Sequence, residues 1–328
     1  MGVFVIILGL AVLVMAIVVL PGACLLTALR QEPMVVWGAG PTVTVLLVAV
    51  LTEVFGRIGV PWGPLTGIGS LSLIAVGALG MGLIRGGEPR SGVKTAAIGM
   101  WREGHRVLVL AAIPVLLQVC FITRAMGRPG ALLQNHDVMF HLNLIELMRS
   151  TGWASSLGAS AAISGGSFYP SVFHAVAVLL TGVTDVPTAF NATLVGVGIC
   201  LTIVEVVVLV RAYDGRTMAC LVAGAACAST MWTPFLLFFN GQTPTGLAIA
   251  LLPGALAAME KAFRTYGLRG RLVLVACLSL GAGCAHPGGG QVLIVLACVM
   301  ALTGRLIARS ESGSAEIAKP ALRSRVLV

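Results

Sequence analysis

Long apolar runs separated by short polar turns dominate this chain, and their length is that of membrane-spanning helices. The runs cover residues 3–29, 34–52, 65–84, 107–123, 187–210, 217–239, 245–259, 272–285 and 291–308. A bilayer core takes about 20 residues of helix. The runs at 245–259 and 272–285 are the short ones. Pro244 and Pro287-Gly288-Gly289-Gly290 punctuate two of the borders. A further apolar piece, 168–182, opens with Tyr169-Pro170. The pattern predicts an all-α, polytopic transmembrane helical bundle of about nine spans, with interfacial helices on its outer face.

Basic residues orient the bundle. Arg85, Arg90, Lys94, Arg102 and Arg106 fall in one inter-span segment, and Lys261, Arg264, Arg269 and Arg271 in another. Arg211 with Arg216 and Arg305 with Arg309 mark two more. Cytoplasmic loops are rich in Lys and Arg. All four segments face the cytoplasm only if 168–182 does not cross, so this piece is expected to lie at, or dip into, the outer face. The protein is then a multi-pass cell-membrane protein with its N-terminus outside and its C-terminus in the cytoplasm. No basic residue precedes the first run, which is expected to be an uncleaved span rather than a signal peptide. Three parts are expected: a four-span segment over 1–123, a second membrane module over 124–310 with an outer loop at 124–186, and a disordered polar tail over 311–328.

Composition narrows the classes. Residues of the AVILMFWYC set make up 58% and charged residues 10%, against about 25% charged in a soluble domain. Mean hydropathy is +1.00. A soluble enzyme needs more charge to cover its surface, and disorder needs far less hydrophobicity. The net charge of +9 sits mainly in short loops, with no basic stretch interleaved with aromatics, so nucleic acid is not an expected partner. The eight cysteines lie inside apolar runs without a CxxC, which excludes a zinc or thiol-redox motif.

Polar chemistry concentrates in the outer loops. The stretch 134–143 holds His136, Asp137 and His141. Asp137 and His141 are four apart, on one face of a helix. Such a pair can share a proton or hold a divalent cation. It can equally be a satisfied pair on an amphipathic surface helix, with Phe140, Leu144 and Leu147 at the apolar interface. The stretch Phe168 to His174 places Pro170 at a helix start and His174 one turn inside. Its plain alternative is a capped interfacial helix with an aromatic anchor. Ala285-His286-Pro287-Gly288-Gly289-Gly290 offers backbone N–H groups to a phosphate, or is simply a helix–turn–helix tip. The turn Asn240 to Pro244 is a weaker feature of the same kind. Glu205 is the one acid well inside a span, toward its cytoplasmic end, where it can snorkel. Four of the five histidines map to the outer side, His105 being the exception.

The order of these motifs resembles the GT-C superfamily of multi-spanning glycosyltransferases, which use polyprenyl-phosphate sugars. It is closer still to actinobacterial-type membrane proteins that carry HDxxxHL and YPxxFH patterns. Here these read His136-Asp137-Val138-Met139-Phe140-His141-Leu142 and Tyr169-Pro170-Ser171-Val172-Phe173-His174. The likeness covers roughly 100–310. It implies Asp137 as general base or metal ligand, with His141 beside it on any divalent cation. It implies His136, His141, Tyr169, His174 and His286 as residues that bind the substrate. The expected partners are membrane lipid and a polyprenyl-phosphate sugar, with the acceptor undefined. The alternative is a non-enzymatic membrane transporter or a lipid/glycan-assembly scaffold.

Overall fold

A computed structural model describes residues 1–84, 89–132, 136–165, 168–229 and 240–318. Every regular element among the described residues is helical. These are α1 (Gly2–Ala28), α2 (Pro33–Ile58), α3 (Pro64–Ile84), α4 (Pro89–Met126), α5 (His136–Thr151), α6 (Ala161–Ser164), α7 (Val172–Leu180), α8 (Val186–Val195), α9 (Thr202–Asp214), α10 (Thr217–Ser229), α11 (Thr243–Thr265), α12 (Leu268–Ala285) and α13 (Pro287–Ala318). A π-helical turn, Gly196–Leu201, joins α8 and α9 into one rod.

Among the described residues, seven helices are long and apolar enough to cross a membrane: α1, α2, α3, α4 from Thr95, the α8–α9 rod, α11 and α12. Two more of the expected runs fall on shorter apolar helices, Thr217–Ser229 and Pro287–Thr303. The continuation of the first, 230–239, lies outside the described residues. Helix α13 goes on to Ala318, past the point where disorder was expected from 311. Glu and Ala in that stretch are good helix formers, and no proline intervenes before Pro320. The rest of the tail lies outside the described residues.

Lipid tails are as apolar as leucine, so helices in a bilayer associate where small residues let backbones approach. Helix α2 sits at the centre for this reason. A methyl at Gly38 would strike the Gly254 carbonyl of α11, and one at Gly22 of α1 would strike the Gly40 carbonyl. A methyl at Gly281 of α12 would strike the Thr42 carbonyl. The Gly22 N–H donates to Thr44 Oγ1 at 2.9 Å, a hydrogen bond between spans. The boundary expected at 123 therefore falls inside one packed bundle, with α2 wedged between α1, α11 and α12.

Glu205 faces the bundle interior, as acids inside spans usually do, rather than snorkelling. It is 1% exposed and does not reach toward a bilayer surface. Its carboxylate fills the space that a side chain at Gly254, the central residue of α11, would occupy. Among the described residues, Glu205 Oε2 has no hydrogen-bond partner. The missing side chain at 254 is what draws the carboxylate inward.

The bundle has two unlike ends. At one, Lys261 faces Glu32 at 3.9 Å, Tyr266 Oη donates to Gln31 Oε1 at 2.5 Å, and Arg211 pairs with Glu103. This is the charged end. At the other, Ser155 Oγ donates to Glu53 Oε2 at 2.7 Å, and Trp62 Nε1 donates to the Ala175 carbonyl at 2.9 Å. This end carries α5 to α7.

Helix α7 has nine residues, about 13 Å of rise, too short to span. Of the two placements expected for it, at the outer face or dipping into it, burial of all nine residues excludes the first. Val-Phe-His-Ala-Val-Ala-Val-Leu-Leu has no polar face to offer water, and His174 is its one polar side chain. Helix α5 is the amphipathic one. Val138, His141, Leu142, Ile145 and Met148 face inward, while Asp137, Met139, Asn143, Glu146 and Arg149 are exposed.

Candidate functional site

His141 is buried against α7, while Asp137, one turn earlier on the same side of α5, lies in the first turn and is exposed. Helix α7 begins at Val172, two residues after Pro170, with Ser171 at its N-cap. The approach to it is stapled: Tyr169 N–H donates to the Ser156 carbonyl at 2.9 Å, Ser171 Oγ donates to the Ala154 carbonyl at 3.0 Å, and Ser171 N–H donates to Ser156 Oγ at 3.2 Å. These bonds hold Tyr169 and His174 in register with α5.

The two histidines form a directed pair. His141 Nδ1 lies 2.9 Å from His174 Nε2, and His141 Nε2 meets the Gly241 carbonyl. A carbonyl only accepts, so His141 carries its proton on Nε2. Its Nδ1 then accepts, and His174 donates from Nε2. That leaves His174 Nδ1 as a bare acceptor, buried without a hydrogen-bond partner among the described residues. Burial holds both rings in the neutral form. His141 titrates below its ordinary range because of desolvation, partly offset by the Gly241 carbonyl and by the Asp137 charge. His174 titrates well below, through burial first and the neighbouring His141 second. Phe190 stacks on His141 at 6.1 Å and 16°. Phe173 and Tyr169 pack edge-on against His174.

In front of the pair is a cavity of about 410 Å³. Asp137, Phe140, His141, Tyr169, Gly241, Gln242 and His286 are among its walls. Tyr169 is half-buried, and its hydroxyl is pushed up to about 12 by burial and by the Asp137 carboxylate. It stays a protonated donor at any physiological pH. Gly241 has φ +78°, a backbone conformation that glycine adopts at no steric cost. A side chain there would also run into the Asp137 Cβ. Gly288 N–H donates to His286 Nδ1 at 3.2 Å, which leaves Nε2–H as the ring's donor.

Asp137, His141, Tyr169 and His286 thus share one cavity, drawn from α5, the α6–α7 loop and the α12–α13 turn. His174 is brought to His141 but is 0% exposed and absent from the cavity wall. Substrate contact is closed to it, and its place is that of a residue that positions His141. His136 opens α5, and its side chain lies outside the described residues. The glycines after His286 are not a phosphate cradle. Gly288 and Gly289 already donate to His286, and Gly289 and Gly290 let α13 close on Ala248 and Ser279. The cation expected between Asp137 and His141 does not fit either. Both His141 nitrogens are engaged, and among the described residues no group of three or more His, Cys, Asp or Glu is placed to hold a metal ion.

Sequence reasoning passed over Gly241 and Gln242 as a weak polar turn, and over Phe190. The Asn240-Gly241 pair was the available signal, since Asn-Gly marks a turn with positive φ.

A family model matches residues 15–328. The chain belongs to DUF6541, a family of unknown function. No curated protein and no solved structure matches it.

Proposed function

We propose that this DUF6541 protein is a GT-C-like glycosyltransferase embedded in the cell membrane, taking a sugar from a polyprenyl-phosphate donor at the outer face. The observation that carries the reading is the cavity beside Asp137, where an exposed carboxylate, a phenol and an imidazole line one space at the end of the spans. Asp137 removes the proton from an acceptor hydroxyl as that oxygen attacks the anomeric carbon. The new C–O bond forms on the face opposite the phosphate, and the old C–O bond breaks. Polyprenyl phosphate departs as a stable anion, so no strong general acid is required. Tyr169 O–H and His286 Nε2–H are the donors available to the departing phosphate. The chain crosses nine times, α10 and α13 included. The charged end lies in the cytoplasm with the C-terminus, and the N-terminus lies outside. Reconstitution in vesicles with a panel of polyprenyl-phosphate sugars tests the reading. Release of polyprenyl phosphate with one of them is expected, and none with any donor would count against it.

Glu205 favours a second reading. A buried carboxyl inside a span, with Oε2 lacking a hydrogen-bond partner among the described residues, is typical of transport paths. Pro41 and Pro253 lie inside the two helices that flank it, which run through them unbroken. Glu205→Gln separates the two. A transferase keeps its turnover in this variant, whereas a transporter of which Glu205 is part loses flux.

A further inference from the structure

We propose that the cleft at the charged end binds a phosphate-bearing anion, the headgroup of an anionic phospholipid. The cleft has a volume of about 450 Å³ and lies where α2, α4, α9 and α11 meet. Arg102, Arg106, Arg211 and Lys261 line it against only two carboxylates, Glu32 and Glu103. The acids do not satisfy the bases. Glu103 is shared between Arg211 and Arg106, the latter at 3.4 Å. Glu32 reaches Lys261 only at 3.9 Å. Arg102 has no ion pair or hydrogen bond among the described residues.

Two further features suit an anion with several acceptor oxygens. Helix α2 opens into the cleft with Pro33 and Met34. Its first N–H groups lack intrahelical partners, and the positive end of its dipole faces the same space. The arginines present forked donors that match phosphate oxygens. The level is that of lipid headgroups, because the spans of α9 and α11 end at Tyr213 and Thr265. Basic recesses between spans at that level hold anionic headgroups. A soluble phosphate would offer the same chemistry. The inference stands apart from the transferase reading, because the cleft is at the opposite end of the bundle from Asp137.

Native mass spectrometry of the full chain, with added phosphatidylglycerol or phosphatidylcholine, tests it. Phosphatidylglycerol should be retained and phosphatidylcholine lost. The double variant Arg102→Gln, Lys261→Gln should retain phosphatidylglycerol about 30-fold more weakly, as expected for two cations near a headgroup. Arg102→Lys should retain it nearly as the parent does, which separates lost charge from lost fold. Melting without lipid should be alike in all three. Equal retention of both lipids, or unchanged retention by the double variant, would overturn the proposal. A rise in melting temperature with inorganic phosphate, and no lipid retained, would keep the anion site and assign it to a soluble phosphate.

Discussion

The histidine pair behind the cavity makes the protein acid-sensitive in a way that can be isolated. Both rings titrate below the ordinary range when folded, whereas an unfolded imidazole titrates near 6.5. Below that value the unfolded chain takes up protons that the folded pair refuses. Stability is therefore complete above about pH 6.5 and falls as the pH drops below it. For a ring that stays neutral when folded, the loss between pH 8 and pH 5.5 is about 1.4 kcal/mol, so the pair contributes at most about 2.8 kcal/mol. In a chain of this size that is roughly 5 °C in melting temperature. The perturbation is His141→Gln with His174→Gln, which keeps amide donors and acceptors but does not titrate. Other groups also titrate over this range, so the quantity to read is the difference between parent and variant. The parent should lose more than the variant between pH 8 and pH 5.5 in detergent, by up to about 5 °C. Equal losses would mean that the rings are not buried neutral, and the directed pair would be wrong.

Three further outcomes follow from the same geometry. Gly241→Ala should cost about 2–4 kcal/mol, from a positive φ and a clash with Asp137, whereas Gly127→Ala, at φ +70° with nothing within 4 Å, should cost only the backbone part; thermal melting of the two compares them. Gly254→Leu should disrupt the bundle, because even a methyl there collides with the Glu205 carboxylate and closes on the Gly38 carbonyl; loss of the folded peak in size-exclusion chromatography is the readout. Cysteines placed at Gly63 and Gly267 should react with an impermeant thiol reagent from opposite sides of intact cells, the first from outside; reaction from one side would remove the assigned topology.

Much of the architecture was legible as apolar run length, since a bilayer imposes a minimum on helix length and an ordinary core does not. The seven long helices fall on expected runs. The short helix α7 was legible as a piece that does not cross, but not as a buried one. Burial there depends on α2, α3, α5 and α8 surrounding it, which no local pattern records. The neighbourhood of Asp137, His141, Tyr169 and His286 came from placing polar loops on one side by charge. The partner of His141 was misjudged. Spacing of four pointed to Asp137, but the ring turns to His174, 33 residues away, because a buried imidazole needs a buried partner and Asp137 is at the surface. Gly288 to Gly290 allow two readings when seen alone, N–H groups open to a phosphate or a plain helix–turn–helix tip. Their N–H groups and their missing side chains serve the α12–α13 turn instead.

The central claim is that the cavity beside Asp137 performs transfer from a lipid-borne sugar. A single-turnover comparison of the parent and Asp137→Asn, in vesicles loaded with the productive polyprenyl-phosphate donor, tests it most directly. The account predicts a fall of about 10²–10⁴-fold in the rate of polyprenyl phosphate release, as for loss of a general base, with expression, membrane insertion and melting unchanged. An Asp137→Asn protein that releases polyprenyl phosphate at the parent rate would contradict it.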